Sequence, residues 1–284
     1  MAILQPMHVV FMISLTFAIL MVIAHTVVFK KSIWIFENYF STKKYLDTDD
    51  LATIWNSLID SVYLKQKDVP IKYKRSFLFR PNKSNLKLFM KLIWELSAIC
   101  QNASADYFMN CGSLIGSYRH HSMIPWDLDF DMAISHKHKD TFMRSYAQFK
   151  NSTFFLRHKY DEQYKYIAKR HPSIYSDVMF YKDINKTHFG IAKGINKLFV
   201  FPTVLRPFGP LMIPAPRHPK EYLQEQYQYE WTSLMNNCYN SRTKQNVSCT
   251  EMIPFYPFVK RTPGKELLVY NGSVVYENIV LDDH

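Results

Sequence analysis

Glycine is scarce in this chain, at 7 of 284 residues, and no Lys or Arg precedes Lys30. The scarcity of glycine excludes collagen-like and glycine-repeat architectures, and the sequence has no internal period that would indicate a solenoid or a propeller. Hydrophobic residues make up 48% of the chain and charged residues 21%, so a packed core is expected and a disordered tail is excluded. Beyond the N-terminus basic residues dominate, with 35 Lys+Arg against 24 Asp+Glu.

The longest apolar run extends from Val9 to Phe29, with His25 as its only ionisable side chain. A helix of this length crosses about 30 Å of hydrocarbon, and the run exceeds the roughly 7–15 apolar residues of a cleaved signal peptide. We therefore predict a short cytosolic tail (1–8), a transmembrane signal-anchor (9–29), a stem (30–47) and a lumenal domain (48–284). The lysines that follow the run favour the opposite orientation by the positive-inside rule.

Glycosylation sequons and cysteines favour the lumenal orientation. Six Asn-x-Ser/Thr sequons begin at Asn82, Asn102, Asn151, Asn185, Asn246 and Asn271. The four cysteines form two close pairs in sequence, Cys100 with Cys111 and Cys238 with Cys249. That spacing fits disulfides in an oxidising compartment. Three ways of pairing the four cysteines are possible, and four free thiols are the alternative. We expect a single-pass protein of the Golgi or endoplasmic reticulum membrane with its C-terminal domain in the lumen.

Hydrophobic spacing predicts an α+β layout with a mixed sheet. The predicted helices cover 48–64, 84–101 with Ser84 as cap, 114–118, 138–150 and 218–229. Predicted strands cover 107–110, 127–134, 164–168, 174–181 and 198–201. A basic loop is predicted for 65–83. Six prolines between Pro202 and Pro219 exclude a helix there and predict an ordered, wrapping loop.

Three carboxylates alternate in the predicted strand, at Asp127, Asp129 and Asp131. Side chains two residues apart on a strand share a face, so these carboxylates would project together. Such a cluster is costly unless cations neutralise it, and Mg²⁺ (or Mn²⁺) prefers oxygen ligands of this kind. An exposed acidic edge strand is the alternative interpretation.

A glycine turn lies upstream of these carboxylates. Gly112 and Ser113 stand between a predicted strand and a predicted helix, where a glycine lets a phosphate approach the backbone and the helix start offers free N–H groups. A phosphate cradle beside a carboxylate strand is how nucleotidyltransferase folds hold a metal and a nucleotide. That chemistry needs a further carboxylate from a neighbouring strand, and Asp177 is the best candidate.

The run from Met109 to Asp131 resembles the signature of the LicD/fukutin family. It carries Gly-Ser-Leu-Ile-Gly from Gly112, then Arg-His at Arg119, and ends in Ile-Pro-Trp-Asp-Leu-Asp-Phe-Asp. The stretch that begins at Asp177 resembles the family's later Asp-Ile-Phe element, and residues 213–227 resemble its Pro…Tyr-Leu…Tyr tail. The resemblance covers about residues 84 to 229.

The resemblance implies a nucleotidyltransferase-like mixed sheet with flanking helices. It also implies transfer of a phospho-alcohol, of the ribitol phosphate or phosphocholine type, from a CDP-activated donor to a hydroxyl of a glycan on a glycoprotein or glycolipid, with release of CMP. By the same resemblance, Asp129 and Asp131 would be metal ligands, Asp177 the third ligand or a base, and Asp127 an assisting carboxylate. Gly112 and Ser113 would line the diphosphate, and Arg119 would stabilise the charge that develops on the phosphate.

Two other functions stay open. In a Golgi glycosyltransferase, Asp127-Leu-Asp129 would be the Asp-x-Asp motif that holds a metal and a nucleotide sugar. In a non-catalytic protein, the same fold would serve as the scaffold of a glycan-modifying complex. The net charge of +11 could suit nucleic acid, but no recognition motif accompanies it, so we expect no nucleic-acid partner.

Overall fold

The computed structural model describes residues 48–78, 81–127, 129–149, 152–190, 194–228 and 237–280. The predicted tail, anchor and stem (1–47) lie outside these ranges. Within them, every helix is too short or too polar to cross a membrane. From Leu51 onward the described chain forms one compact unit.

Six α-helices occur in the described ranges: α1 (Thr48–Lys65), α2 (Ile71–Phe77), α3 (Lys83–Asn102), α4 (Cys111–His120), α5 (Lys139–Gln148) and α6 (Pro219–Tyr227). The predictions for α1 and α3 are confirmed in type and extent. The cap of α3 was predicted wrongly: the Asn82 side chain, not that of Ser84, accepts the Asn85 N–H at 2.8 Å. Asn82 satisfies one of the free N–H groups at the helix start.

Helix α2 lies in the segment predicted as a basic loop, and that prediction was wrong. Tyr73 and Phe77 are buried four residues apart, which is the spacing of one helix face, and Val69 before the helix is buried as well. The lysines and Arg75 between them obscure this pattern in the sequence. The segment therefore contributes to the core while its cations stay at the surface.

The main sheet has seven strands: β1 (Tyr107–Met109), β2 (Asp129–Ser135), β3 (Phe154–Tyr160), β4 (Gln163–Ala168), β5 (His171–Asp183), β6 (His188–Gly190) and β7 (Gly194–Asn196). The order along the sheet is β1-β2-β5-β4-β3, with β6 paired to β5 and β7 to β6. Strands β2 and β5 are parallel and the other pairs are antiparallel. The predicted mixed sheet with flanking helices is confirmed.

The proline-rich segment forms a hairpin, not the predicted wrapping loop. Strands β8 (Val204–Phe208) and β9 (Leu211–Ala215) pair antiparallel, and each carries one proline. As a two-stranded sheet the hairpin has edges on both sides, where proline is tolerated because its missing N–H is not needed. The strand predicted at 198–201 is wrong as well, since Lys197–Phe199 form a 3₁₀ turn.

The C-terminal region forms two small antiparallel sheets. Strands β10 (Asn237–Tyr239) and β11 (Asn246–Ser248) make a hairpin, and β12 (Phe258–Thr262), β13 (Lys265–Tyr270) and β14 (Ser273–Ile279) make a meander. A disulfide joins Cys238 to Cys249, as their spacing suggested. The other suggested pair is wrong: Cys100 and Cys111 are free thiols.

A buried ion cluster ties the meander to the rest of the fold. Glu266 accepts hydrogen bonds from Arg206 at 2.7 and 2.9 Å, lies 3.0 Å from Arg261, and lies 3.0 Å from Nε2 of His121. These partners come from hairpin β8–β9, from β12 and from the residue directly after α4. Although burial alone would raise the pKa of Glu266, the hydrogen bond from His121 and the two guanidinium groups hold it well below its ordinary value.

Candidate functional site

The site is built where β1 turns into α4. Cys111 adopts a left-handed backbone conformation, with φ of +43°, directly before Gly112. A left-handed conformation is uncommon for a residue with a side chain and is held only where the surroundings fix it. Here the preceding Asn110 is buried, and its carboxamide oxygen accepts hydrogen bonds from Tyr222 at 2.6 Å and Gln226 at 3.0 Å. Helix α6 thereby fixes the turn that presents Gly112.

Two reciprocal hydrogen bonds join this turn to β2. The Gly112 N–H donates to Oδ2 of Asp131 at 3.0 Å, and the Asp131 N–H donates to Oγ of Ser113 at 2.8 Å. Ser113 is buried, and its hydroxyl oxygen binds the backbone of β2 through the Asp131 N–H. The start of α4 and the carboxylate of Asp131 are therefore hydrogen-bonded neighbours.

Gly112 also marks a close approach of two carboxylates. A Cβ at this position would stand 3.3 Å from Oδ2 of both Asp127 and Asp131. Asp127 precedes β2, which begins at Asp129, and its N–H donates to the carbonyl of Ile124 at 2.9 Å. The predicted start of the strand at Asp127 is thus two residues early, but the carboxylate of Asp127 still lies beside that of Asp131.

Asp177 joins the cluster from the neighbouring strand. In the parallel pairing of β2 with β5, Asp131 stands opposite Asp177 and Asp129 opposite Tyr175. Burial raises the pKa of Asp131 well above its ordinary value, and the charges of Asp129, Asp127 and Asp177 raise it further, in that order. The structure therefore brings together all four aspartates that the sequence singled out.

Three further side chains, which sequence reasoning missed, complete this group. Nζ of Lys159 and Nζ of Lys165 each lie 3.7 Å from Oδ1 of Asp177, and the Tyr175 hydroxyl donates to Asp129 at 3.0 Å. The register also places Lys165 directly opposite Asp177 on β4. The alternation of side chains between the two faces of β4 could have indicated Lys165, but no local sequence pattern indicates Lys159 or Tyr175.

The four aspartate side chains do not point at a common position that a metal ion could occupy. Across the described ranges, no group of three or more His, Cys, Asp or Glu side chains is arranged to hold a metal ion as it stands. Oδ1 of Asp177 is nevertheless buried and has no hydrogen-bond partner, since both lysines stay at 3.7 Å. It is therefore an unsatisfied buried hydrogen-bond acceptor, which is unfavourable for folding.

A cleft of about 280 Å³ opens beside the cluster. Gly112, Arg119 and Asp127 line it from one side, and Tyr227 and Arg242 contribute from later in the chain. Arg119 is buried; desolvation lowers its pKa to about 10, so it stays charged at neutral pH. The guanidinium contacts the carbonyl of Asn237 at 3.4 Å and Sγ of Cys249 at 3.6 Å. Of the three predicted phosphate contacts, Gly112 and Arg119 thus border the cleft.

Comparison with known proteins confirms the LicD/fukutin-like resemblance. Residues 104–218 match the family described as LicD/FKTN/FKRP, nucleotidyltransferase domain. An uncharacterized protein of Rickettsia typhi is 26% identical over 174 residues, which is 60% of this chain and 53% of that protein. The chain therefore spans about half the length of that curated relative.

Among solved structures, the crystal structure of ANT(2″)-Ia in complex with adenylyl-2″-tobramycin is similar at a TM-score of 0.36. The identity is 8%, over 49% of this chain and 75% of the other. A similarity at this level supports no argument about function.

Proposed function

We propose that this protein transfers a phospho-alcohol, of the ribitol phosphate or phosphocholine type, from a CDP-activated donor to a hydroxyl of a glycan and releases CMP. The observation that carries the proposal is that Asp127, Asp129, Asp131 and Asp177 lie close enough to interact electrostatically, beside the glycine turn and within the segment that matches the family. A cluster of like charges that raises the pKa of its own member favours a cation and an anionic substrate over a purely structural role.

The donor set suits Mg²⁺ or Mn²⁺. Asp129, Asp131 and Asp177 would hold the ion through carboxylate oxygens, the ligands that hard divalent cations prefer, and the unpartnered Oδ1 of Asp177 is one of them. These side chains would have to turn toward a common point. When bound, the ion would neutralise charge on the diphosphate of the donor.

The remaining residues of the site bind and orient. Gly112 lines the cleft at the start of α4, and its lack of a side chain would let a phosphate of the donor approach the helix start once a cation neutralises the two carboxylates beside it. Arg119 supplies a desolvated positive charge at the cleft wall, where charge on the transferred phosphate is stabilised more strongly than in water. In the transfer, the oxygen of the acceptor hydroxyl bonds to phosphorus, the bond from phosphorus to the CMP oxygen breaks, and a carboxylate such as Asp177 accepts the hydroxyl proton.

The test is release of CMP by the full chain, purified in detergent. CDP-ribitol, CDP-choline and CDP-glycerol are offered with Mg²⁺ or Mn²⁺ and mixed glycan acceptors, and UDP-sugars serve as competing donors. We expect turnover of one CDP donor that requires the metal and falls at least about 100-fold in Asp129→Asn. Asp183→Asn, an exposed aspartate at the end of β5, is the matched control and should leave turnover unchanged.

Other outcomes would select other functions. Turnover of a UDP-sugar would replace the proposal with a glycosyltransferase. A folded protein that binds no CDP donor, and whose Asp129→Asn variant keeps its cellular effect, would support the scaffold function.

We further propose that the domain acts in the lumen of the Golgi or endoplasmic reticulum, anchored by residues 9–29. Five of the six sequon asparagines fall in the described ranges, and all five are exposed, as acceptors for glycans must be. Treatment with an endoglycosidase should lower the apparent mass by several glycans. An unchanged mass would place the domain on the cytosolic side.

A further inference from the structure

The cleft has a wall that the family match does not cover. Arg242 and Asn240 line it together with Gly112 and Asp127, yet they lie beyond residue 218, where the match ends. They belong to the turn between β10 and β11, which the disulfide from Cys238 to Cys249 closes. We call residues 237–249 the closed hairpin.

The closed hairpin is held in place from both sides. Nε1 of Trp126, the residue before the first aspartate, donates to the carbonyl of Tyr239 at 3.0 Å. The buried Asn240 donates through Nδ2 to the carbonyl of Ser76 in α2. Because these contacts reach both the site and α2, the hairpin has a defined position over the cleft.

The same asparagine fixes the backbone of Arg242. Oδ1 of Asn240 accepts the N–H of Arg242 at 2.9 Å and that of Thr243 at 3.0 Å. One buried side chain thus sets the turn from which Arg242 extends. Little backbone entropy remains to be lost when the arginine binds a ligand.

The charge of Arg242 is not used elsewhere. Among the residues that the structure describes, no carboxylate forms an ion pair with its exposed guanidinium. Burial and the charge of Asp129 raise the pKa of Tyr175, and the charge of Arg242 acts against that rise, so the guanidinium lies within electrostatic range of Tyr175. A cation at the rim of an acidic cleft suits a ligand that carries more negative charge than one metal ion neutralises.

We propose that Arg242 is a donor-binding residue that contacts the diphosphate of the nucleotide, so that the closed hairpin determines affinity for nucleoside diphosphates over monophosphates. This inference rests on the proposed function. It assigns part of the donor site to a region outside the family match.

The experiment measures binding of CDP and of CMP to the full chain in Mg²⁺ by titration calorimetry. Arg242→Gln should weaken CDP binding about tenfold and CMP binding less than about twofold, because the lost bond goes to the second phosphate. Arg242→Lys should recover part of the CDP affinity, since it keeps the charge but not the two-pronged geometry.

Lys244→Gln is the matched control, an exposed cation two residues along the same turn that does not line the cleft. It should leave both affinities unchanged. If the wild-type chain binds CDP and Arg242→Gln binds it equally well, this inference alone is overturned. If the wild-type chain binds neither nucleotide, the CDP-donor function is overturned and the inference fails with it.

Discussion

Two carboxylates of this protein sit in opposite electrostatic settings. Glu266 is buried among Arg206, Arg261 and His121, and its pKa is held below the ordinary value. Asp131 stands among three other aspartates, and its pKa is raised. The first carboxylate is surrounded by cations, whereas the second lies among like charges, and Lys159 and Lys165 approach that cluster at Asp177. The difference separates a carboxylate that joins parts of the fold from an acidic cluster that a bound cation would stabilise.

The largest effect is expected from removal of the Glu266 carboxylate. Glu266→Gln leaves two guanidinium groups without their carboxylate, and loss of one partner of a buried ion pair costs about 3–5 kcal/mol in the free energy of unfolding. Urea denaturation measures it. Glu277→Gln, which loses only the exposed ion pair with Lys265, should cost less than about 1 kcal/mol. Equal losses in both variants would show that burial does not distinguish these pairs.

The reverse experiment removes a carboxylate from the acidic cluster. Asp131→Asn relieves repulsion, so without metal the free energy of unfolding should stay the same or rise. Turnover of the donor should fall at least about 100-fold, since the variant loses a charge that acts on the diphosphate through the bound cation. Paired denaturation and CMP-release measurements test both parts. A destabilised variant with normal turnover would assign Asp131 a structural role.

Two glycines of α4 differ in the same way, since Gly116 packs against the fold and Gly112 lies beside the acidic cluster. A Cβ on Gly116 would stand 2.4 Å from the carbonyl oxygen of Ser122 and 2.9 Å from the N of Ile124, and neither backbone atom yields easily. Gly116→Ala should therefore cost about 1–3 kcal/mol of stability by overpacking.

At Gly112 the nearest atoms are carboxylate oxygens at 3.3 Å, which side-chain rotation can move. Gly112→Ala should change stability by less than about 1 kcal/mol and lower turnover about tenfold, because the phosphate site is narrowed. Thermal melts and turnover assays on both variants check the contrast. A larger stability loss at Gly112 than at Gly116 would contradict it.

The smallest expected effect is a dependence of stability on pH. Burial lowers the pKa of His121 below its ordinary 6.5, so its contribution is full above about pH 6.5 and is lost as the pH falls toward the folded value. The pKa of Glu266 is also lowered, so its contribution is full above its ordinary 4.5 and declines below that pH. Asp131 has the opposite dependence because its pKa is raised, so the Asp131→Asn variant is the one to measure. Urea denaturation of that variant should show a loss of about 1 kcal/mol between pH 7 and 5 and a further decline at pH 4. Glu266→Gln should lack the further decline below pH 4.5.

Sequence reasoning found the acidic site because its pattern is local. Asp129 and Asp131 alternate on one strand, and Gly112 with Ser113 marks the strand-to-helix turn, so short-range geometry sufficed. Asp177 needed one guess about strand neighbours, which the parallel pairing of β2 with β5 bears out. All these residues fall in the segment that matches the family.

What the sequence did not reveal depends on contacts across long separations. Glu266 meets Arg206 across 60 residues and His121 across 145, and neither spacing forms a pattern. Helix α2 was missed because Lys72, Lys74 and Arg75 interrupt its apolar residues within a stretch of seven. The hairpin β8–β9 was missed because its prolines read as a loop, although an edge strand accepts them.

The position of Asp177 opposite Asp131 depends on the length of the connection before β5 as well as on the two aspartates themselves. Strands β4 and β5 are joined by Lys169 and Arg170 alone, and that tight connection sets the register of β5 against its neighbours. One inserted residue there would bring Ser176 or Val178 opposite Asp131 and turn the carboxylate of Asp177 to the other face. Insertions in the exposed turn at 184–187 carry no such penalty. An insertion in the turn between β4 and β5 would therefore separate Asp131 from Asp177 although every aspartate is still present.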